Sequence, residues 1–392
     1  MLPLEGIKVV SIEQAVAAPF ASRQLADYGA RVIKIERPGC GDFARGYDEK
    51  VKGMASWFIW LNRSKQSVTL NLKNSCAKQI LEKLLEESDV LIQNLAPGAS
   101  DRLGLPGDEL LARYPRLIVC NISGYGTSGP YRDKKAYDLL IQCETGLVSI
   151  TGTPETPSKV GISVSDISAG MYAFSGILLA LRTRDKTGRG TVIDLSLFDS
   201  LGEWMSYAGY YSAYGGSPPA RAGASHAAIQ PYGPYSTGDG KQVNLGVQNE
   251  REWEKFCSVV LQKPEMARDP RFHSNSLRTQ NREALREAIC EVFKGLTIEQ
   301  AVERLDRAGI ANARMNSVQE FWEHPQHKAR NRWRDIQSPV GPLPALLPPI
   351  ITEGFEASMG PVPALGEHTE MVLRELRYSP EQIQRLRKEE AI

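Results

Sequence analysis

The chain has 392 residues, of which 47 are basic and 46 acidic, and its formal net charge is +1. This balance gives no support for a protein that binds nucleic acid or a membrane surface through charge. Because the length exceeds one typical hydrophobic core, we expect a large and a small domain.

The chain begins with a strand–helix–strand pattern. The segments GIKVVSI (6–12) and RVIKIER (31–37) are rich in β-branched residues, and the segment PFASRQLADYGA (19–30) between them has a helical pattern. Short links between such elements predict a right-handed βαβ unit in a parallel sheet.

The same alternation continues to about residue 200. Strand-like segments recur at SVTLNL (67–72), DVLIQNL (89–95) and RLIVCNISGYG (116–126), with helical patterns between them. A long helix without charged residues is expected after Asp166, followed by a strand in TVIDLSLF (191–198). This order predicts an open, doubly wound, Rossmann-like α/β domain.

The composition changes in the second half. Residues 214–240 are rich in Gly, Pro and Ser, which favours a linker with loops. One strand, KQVNLGV (241–247), and several amphipathic helices follow, and they predict a smaller α+β domain. Thr297, with Gln300 three residues later, is typical of a capped helix start.

The last part of the chain, from about residue 325, is proline-rich and ends in a helix that we expect to pack back onto the first domain. We therefore assign residues 1–200 and 326–392 to a large Rossmann-like domain. Residues 201–325 are assigned to linkers and a small α+β domain.

Several classes of site are absent from the sequence. The six cysteines are far apart, so we expect reduced thiols rather than disulfides or a zinc site, and no other metal motif occurs. The N-terminus has no long apolar core, so we expect a cytoplasmic protein without a signal peptide or membrane span. The first strand–helix turn lacks GxGxxG, which argues against the usual NAD site.

Basic residues recur where the predicted strands end. Arg37, Lys73 and Arg102 follow the second, third and fourth strands, and Lys134 and Lys135 follow the fifth. Each alone is most simply a solvated surface residue. Because the carboxyl ends of parallel strands share one edge of the sheet, the set indicates a ligand that carries phosphate groups.

Asp166 precedes fifteen uncharged residues, and two interpretations of it stay open. It is a helix N-cap, or it is a nucleophile that forms a covalent acyl intermediate. The two roles are compatible, because a helix N-terminus would be expected to keep a carboxylate ionised.

Seven motifs occur in one order along nearly the whole chain, and in that order they resemble the class III coenzyme A transferases (CaiB/BaiF), the family of formyl-CoA transferase and carnitine CoA-transferase. The motifs are GIKVVSIEQAVAAPFASRQLADYGARVIKIERPGCGD, NRSKQSVTLNLK, DVLIQNLAPGASDRLGL, ISGYGTSGPY, KKAYDLLIQCETG, VGISVSDISAGMYAFSGILLALRTRDKTGRG and PALGEH.

The resemblance implies a site and an assembly. The family nucleophile falls on Asp166, and coenzyme A or an acyl-CoA is expected as a substrate, with no tightly bound cofactor. Two subunits are expected to form an interlocked homodimer. The positions implied in coenzyme A binding are Val16, Arg37, Leu72, Lys73, Asn94, Leu95, Ala96, Arg102, Lys135 and Tyr137.

The expected reaction is transfer of coenzyme A from an acyl-CoA to a carboxylic acid through an aspartyl intermediate. Short dicarboxylates of the succinate, mesaconate or itaconate type are the expected acids, with Arg221 or His226 as a partner for the distal carboxylate. Two alternatives stay open: an α-methylacyl-CoA racemase and a coenzyme A-binding protein without catalysis. Tyr137 stands where the similar racemases have a histidine, and a proton transfer between two faces needs both acid–base groups.

Overall fold

The computed structural model describes all residues from 1 to 392, and their contacts divide the chain into two compact units. The first unit comprises residues 1–145, 160–206 and 330–392, and the second comprises residues 146–159 and 207–329.

The strands belong to three sheets. In chain order they are β1 (Lys8–Ile12), β2 (Arg31–Glu36), β3 (Lys65–Thr69), β4 (Val90–Gln93), β5 (Ile118–Ser123), β6 (Val192–Ser196), β7 (Tyr232–Ser236), β8 (Gln242–Gly246), β9 (Ala311–Ala313), β10 (Trp333–Ile336) and β11 (Leu343–Leu346).

The α-helices surround these sheets. In chain order they are α1 (Ala17–Asp27), α2 (Ser56–Asn62), α3 (Ser75–Glu86), α4 (Ala99–Leu103), α5 (Gly107–Arg113), α6 (Asp138–Glu144), α7 (Leu147–Ile150), α8 (Val164–Thr187), α9 (Leu197–Trp204), α10 (Ser206–Gly215), α11 (Glu250–Lys255), α12 (Asn275–Gln280), α13 (Arg282–Phe293), α14 (Ile298–Ala308), α15 (Val318–Trp322), α16 (Pro325–Ala329), α17 (Thr369–Glu375) and α18 (Pro380–Lys388).

The first unit is built on a six-stranded parallel sheet with the order β3-β2-β1-β4-β5-β6. The strands β1, β4 and β5 consist mainly of fully buried aliphatic residues, as expected for a sheet covered on both faces. The predicted α/β class with a parallel sheet is confirmed. The strand order reverses between β1 and β4, and in open α/β sheets ligands bind at the carboxyl ends beside this point.

The C-terminal segment completes the first unit at the β3 edge. The Thr69 backbone N–H donates to Thr369 Oγ1 at 2.9 Å, and the Asn71 N–H donates to the carbonyl of Ala391 at 2.8 Å. The tail therefore covers a strand edge that would otherwise offer unpaired backbone groups. The proline-rich stretch before it also contains the antiparallel pair β10–β11, which the sequence did not predict.

The second unit contains an antiparallel sheet of β7, β8 and β9. The sequence predicted only β8, and it assigned β7 to a linker because that strand contains Gly233 and Pro234. The assignment was wrong since β7 is an edge strand, where proline is tolerated. The predicted cap of α14 is confirmed, because Thr297 and Gln300 form a reciprocal capping box.

Helix α8 has 24 residues and a mean hydropathy of 1.5 in its most apolar stretch, so by length and composition it could cross a membrane. Half of that stretch is buried inside the protein. Core helices meet the same criteria, and the absence of a membrane span and the cytoplasmic location stay predictions.

Helix α8 packs closely on α1 at Gly170. A Cβ atom there would lie 2.7 Å from the carbonyl oxygen of Ala17 and 2.9 Å from a ring carbon of Phe20. At Gly176, on the same helix, the nearest atom would be a methyl of Ile193 at 3.7 Å, which is ordinary contact. Only Gly170 is therefore required by a close approach of two helices.

We expect Gly170→Ala to lower the free energy of unfolding by about 1–3 kcal/mol, since the new methyl group overpacks against backbone. The matched control Gly176→Ala should be neutral or stabilise by up to about 1 kcal/mol through helix propensity. Urea denaturation of the two variants measures both. Equal effects would contradict the packing argument.

Candidate active site

Asp166 lies in the first turn of α8, three residues after the N-cap Ser163. Its side chain is half-buried, and it accepts no hydrogen bond and forms no ion pair in the structure. The interpretation of Asp166 as the N-cap of this helix is therefore wrong. Its carboxylate is free for a ligand.

The capping role belongs to Asp138, the first residue of α6. Its Oδ1 accepts from the Ser165 backbone N–H at 2.9 Å and from the Ser165 hydroxyl at 2.8 Å. Its Oδ2 accepts from the Gln142 amide at 2.7 Å. Asp138 thus satisfies a free N–H of the first turn of α8 from outside that helix and fixes α6 to its start.

Burial, and then the negative charge of Asp138, raise the pKa of Asp166 to about 7. The prediction that the helix N-terminus favours the ionised form of Asp166 is wrong. The reason is that desolvation disfavours a charged carboxylate and that Asp138 already occupies the helix terminus. Asp166 is therefore close to its protonation equilibrium at neutral pH.

The start of α1 lies beside the Asp166 face of α8. Asp166 and Gly170 are four residues apart, so they share one face of the helix. Gly170 is the residue that contacts Ala17 and Phe20. Because Gly170 is about one helical turn from Asp166, this packing places the start of α1, which follows the predicted contact Val16, about one turn of α8 from Asp166.

Tyr47 is a residue near Asp166 that the sequence analysis missed. Burial and the negative charges of Asp42 and Asp166 raise the pKa of the Tyr47 phenol to about 12, with a smaller effect from Tyr137. Its ring lies 6.2 Å from that of Trp57, measured between centroids. A signal was present, since residues 43–60 hold five aromatic side chains, but no motif marked them.

The four predicted phosphate-binding cations share one property. Each is exposed and has no acidic partner in the structure. They lie in the segments that follow the carboxyl ends of four different strands of one parallel sheet. These residues are Arg37, Lys73, Arg102 and Lys135.

The neighbouring Lys134 differs from Lys135. Its Nζ forms an ion pair with Glu144 at 2.5 Å and lies 4.2 Å from the centre of the Tyr131 ring. Of the two lysines, only Lys135 is free of such partners.

Val16 and Asn94 lie on either side of the point where the strand order reverses. Val16 is buried and is the N-cap of α1. The Asn94 side chain donates to the carbonyl of Gln14 at 2.8 Å and accepts from the Gln14 N–H at 2.9 Å. These reciprocal bonds join the loops after β1 and β4.

The other predicted contacts fall into two groups. Leu72 and Leu95 are partly buried and pack against the core of the first unit. Ala96 and Tyr137 are exposed, and Tyr137 is the residue before α6. Leu72, Leu95 and Ala96 thus lie in the loops after β3 and β4.

Arg221 is not available as a carboxylate partner. Its guanidinium donates to the carbonyls of Ser149 (3.1 Å), Thr153 (2.9 Å) and Pro154 (2.7 Å). All four residues belong to the second unit. His226 accepts from a backbone N–H and stacks on Tyr232 with 5.4 Å between ring centres.

The family model for CoA-transferase family III matches residues 4–369. The chain belongs to this family. Human succinyl-CoA:glutarate CoA-transferase is 32% identical over 382 residues, which cover 96% of this chain and 86% of that protein. The acetyl-CoA:oxalate CoA-transferase of Acetobacter aceti is 36% identical over 334 residues, covering 84% and 85% of the two chains.

A solved structure of a CAIB/BAIF family protein from Brucella suis has the same fold. Its TM-score is 0.83 with 33% sequence identity, and the match covers 96% of this chain and 99% of that one. The family III match and the curated relatives identify this protein as a CoA-transferase, an enzyme whose substrates are CoA thioesters and carboxylic acids.

The raised pKa of Asp166 predicts a pH-dependent stability for this CoA-transferase. Because the native state holds the proton more tightly than the unfolded chain, Asp166 lowers stability as the pH rises from about 4 through about 7. We expect Asp166→Asn to raise the free energy of unfolding by up to a few kcal/mol at pH 8, and to have no such effect at pH 4.

Denaturant unfolding at the two pH values measures this difference. The control is Asp185→Asn, an exposed aspartate on the same helix, which should change the free energy of unfolding by no more than about 0.5 kcal/mol at either pH. A gain for Asp166→Asn that does not depend on pH would contradict the raised pKa.

Proposed function

We propose that this CoA-transferase carries coenzyme A from an acyl-CoA donor to a carboxylic acid through a covalent intermediate on Asp166. The observation that carries the proposal is a half-buried carboxyl group without a hydrogen-bond partner at the start of α8. The helix α1, which packs on α8 at Gly170, follows β1 of the same parallel sheet whose strands precede the four unpaired cations.

The bond changes balance without a cofactor or an external proton. The Asp166 carboxylate attacks the donor thioester, the C–S bond breaks, and an acyl-aspartyl anhydride and the CoA thiolate form. The thiolate attacks the Asp166 carbonyl and releases the donor carboxylate, which leaves an aspartyl-CoA thioester. The acceptor carboxylate then attacks this thioester, which releases the CoA thiolate and forms a second anhydride between Asp166 and the acceptor. The thiolate attacks the acceptor carbonyl of this anhydride, which gives the new acyl-CoA and regenerates the Asp166 carboxylate.

Partial burial supports the nucleophilic role. A carboxylate that is poorly solvated has less water to lose when it attacks a carbonyl. Asp138 contributes in two ways: it holds the start of α8 in place, and its charge raises the energy of the ionised Asp166.

The proposed substrates are short dicarboxylic acids and their CoA thioesters, with succinyl-CoA as the donor. Two relatives, from human and Agrobacterium fabrum, are named for transfer between succinate and glutarate, and one from Chloroflexus aurantiacus for transfer from succinyl-CoA to D-citramalate. Mesaconate and itaconate are acids of the same class.

We further propose that two copies of the chain form the interlocked homodimer that the family resemblance implies. Apolar side chains on α8, α9 and α10 lie exposed in the single chain, among them Leu179 (70%), Trp204 (48%) and Tyr214 (87%). Such exposed apolar surface marks protein interfaces. A monomeric mass in sedimentation equilibrium would contradict the dimer.

The reaction is tested with purified protein, succinyl-CoA and a panel of carboxylic acids, with new CoA thioesters identified by mass spectrometry. We expect transfer to dicarboxylic acids such as glutarate, and a loss of at least about a thousandfold in Asp166→Asn, since no covalent intermediate can form. Asp185→Asn should transfer at the wild-type rate. Substantial transfer by Asp166→Asn would refute the proposed mechanism.

The phosphate-binding role is tested by comparing two adjacent lysines. Lys135→Ala should raise the KM for acyl-CoA about five- to thirtyfold, because one charged contact contributes about 1–2 kcal/mol. Lys134→Ala should leave this KM within about twofold, since Lys134 is held by Glu144. The assignment is wrong if steady-state kinetics give the same KM for both variants.

A further inference from the structure

Four ionisable side chains are fully buried together behind the loop that precedes α1. Lys34 Nζ lies 2.7 Å from Asp42 Oδ2 and 3.2 Å from Glu13 Oε1, and Lys65 Nζ lies 2.7 Å from the same Glu13 oxygen. The two negative and two positive charges balance. None of the four residues has a part in the proposed chemistry, although burying charges is costly.

Asp42 connects this buried charge cluster to the protein backbone. While its Oδ2 accepts from Lys34, its Oδ1 accepts from the backbone N–H of Ala15 at 3.0 Å and from that of Ala44 at 2.9 Å. One carboxylate thus holds two segments that are 29 positions apart in the chain. Its own N–H is held by Glu36 at 2.9 Å.

The first segment is the loop that leads to Val16. Ala15 has a φ of +63°, a left-handed conformation that residues other than glycine rarely adopt. Such a conformation persists only where surrounding contacts enforce it. The Asp42 bond to its N–H and the reciprocal bonds of Gln14 with Asn94 are the contacts that do so.

The second segment is the short 3-10 turn Phe43–Gly46, which leads to Tyr47. Asp42 is the N-cap of this turn. The Phe43 N–H also donates to the Gln14 side chain at 3.1 Å, so the two segments are bonded to each other. Both segments lead toward Asp166. Val16 precedes the part of α1 that packs on Gly170, about one helical turn from Asp166. The negative charge of Asp166 contributes to the raised pKa of Tyr47.

We propose that Asp42, paired with Lys34, is a positioning residue that fixes the Ala15–Val16 backbone and the Phe43–Tyr47 turn around Asp166. This inference rests on the proposed role of Asp166 as the nucleophile. Asp42 is fully buried and its carboxylate is occupied by Lys34 and by two backbone N–H groups, so it acts through the segments that it holds. Of the cations assigned to the coenzyme A phosphates, Lys73, Arg102 and Lys135 lie in other loops, whereas Arg37 begins the loop that ends at Asp42. Loss of Asp42 is therefore expected to affect kcat more than acyl-CoA binding.

Two charge-balanced double variants separate positioning from simple stability. Lys34→Gln with Asp42→Asn removes both charges and keeps an amide oxygen for the Ala15 and Ala44 N–H groups. Lys34→Met with Asp42→Leu removes the same charges and also removes the acceptor. Replacing a buried ion pair by apolar residues is often tolerated by the fold, so both variants are expected to be soluble.

With succinyl-CoA and glutarate, we expect the Gln/Asn variant to keep kcat within about threefold of wild type. The variant with Lys34→Met and Asp42→Leu should lose kcat at least about tenfold, and any rise in the KM for succinyl-CoA should be smaller than this loss. A control for ordinary destabilisation is Asp27→Asn. Asp27 is fully buried and paired with Arg23 and Arg63 at the far end of α1, and its variant should lower the melting temperature but not kcat.

Wild-type kcat in the Met/Leu variant overturns the inference, as does an equal kcat loss in Asp27→Asn at an equal loss of melting temperature. Asp166→Asn, assayed beside them, distinguishes a failure of the positioning role of Asp42 from a failure of the proposed function. If it is inactive while the Met/Leu variant is fully active, only the positioning role fails. If it transfers normally, the proposed function itself fails.

Discussion

The structure depends on an unfavourable arrangement of two carboxylates at the start of α8. Asp138 takes the hydrogen bonds that the helix terminus offers, and Asp166, one residue beyond Ser165, is left half-buried with none. A free, poorly solvated carboxylate costs stability. Its retention in an otherwise well-bonded region is explained if the group must react. The close packing at Gly170 fixes the part of α8 that carries Asp166 against α1.

The parallel sheet brings together the loops that carry the proposed coenzyme A contacts. Its strand order places the loops after β1 to β5 along one edge, so residues distant in sequence form one binding region. Cations such as Arg37 and Lys135 are left unpaired there, whereas Lys134, one position away, is neutralised by Glu144. Unpaired positive charge at this edge suits the phosphates of coenzyme A.

Much of the architecture could be predicted from the sequence, because β-branched runs alternating with helical patterns leave few alternatives to a parallel sheet. The edge strand β7 could not, since its Gly233 and Pro234 are typical of loops. Asp166 was singled out from the sequence as the candidate nucleophile, but the direction of its pKa shift was predicted wrongly. That shift depends on Asp138, 28 positions away, and on burial, and neither can be read from local pattern. Tyr47 was missed because its closeness to Asp166 arises from the fold, and no sequence motif marks it.

The central claim is that the Asp166 carboxylate is acylated and regenerated in every turnover. By the bond changes proposed, each regenerated carboxylate carries one oxygen from the acceptor acid. The most direct test is turnover with succinyl-CoA and glutarate labelled with ¹⁸O in its carboxylates, followed by peptide mass mapping. We predict ¹⁸O in Asp166 and in no other aspartate. An unlabelled Asp166 after many turnovers would contradict it.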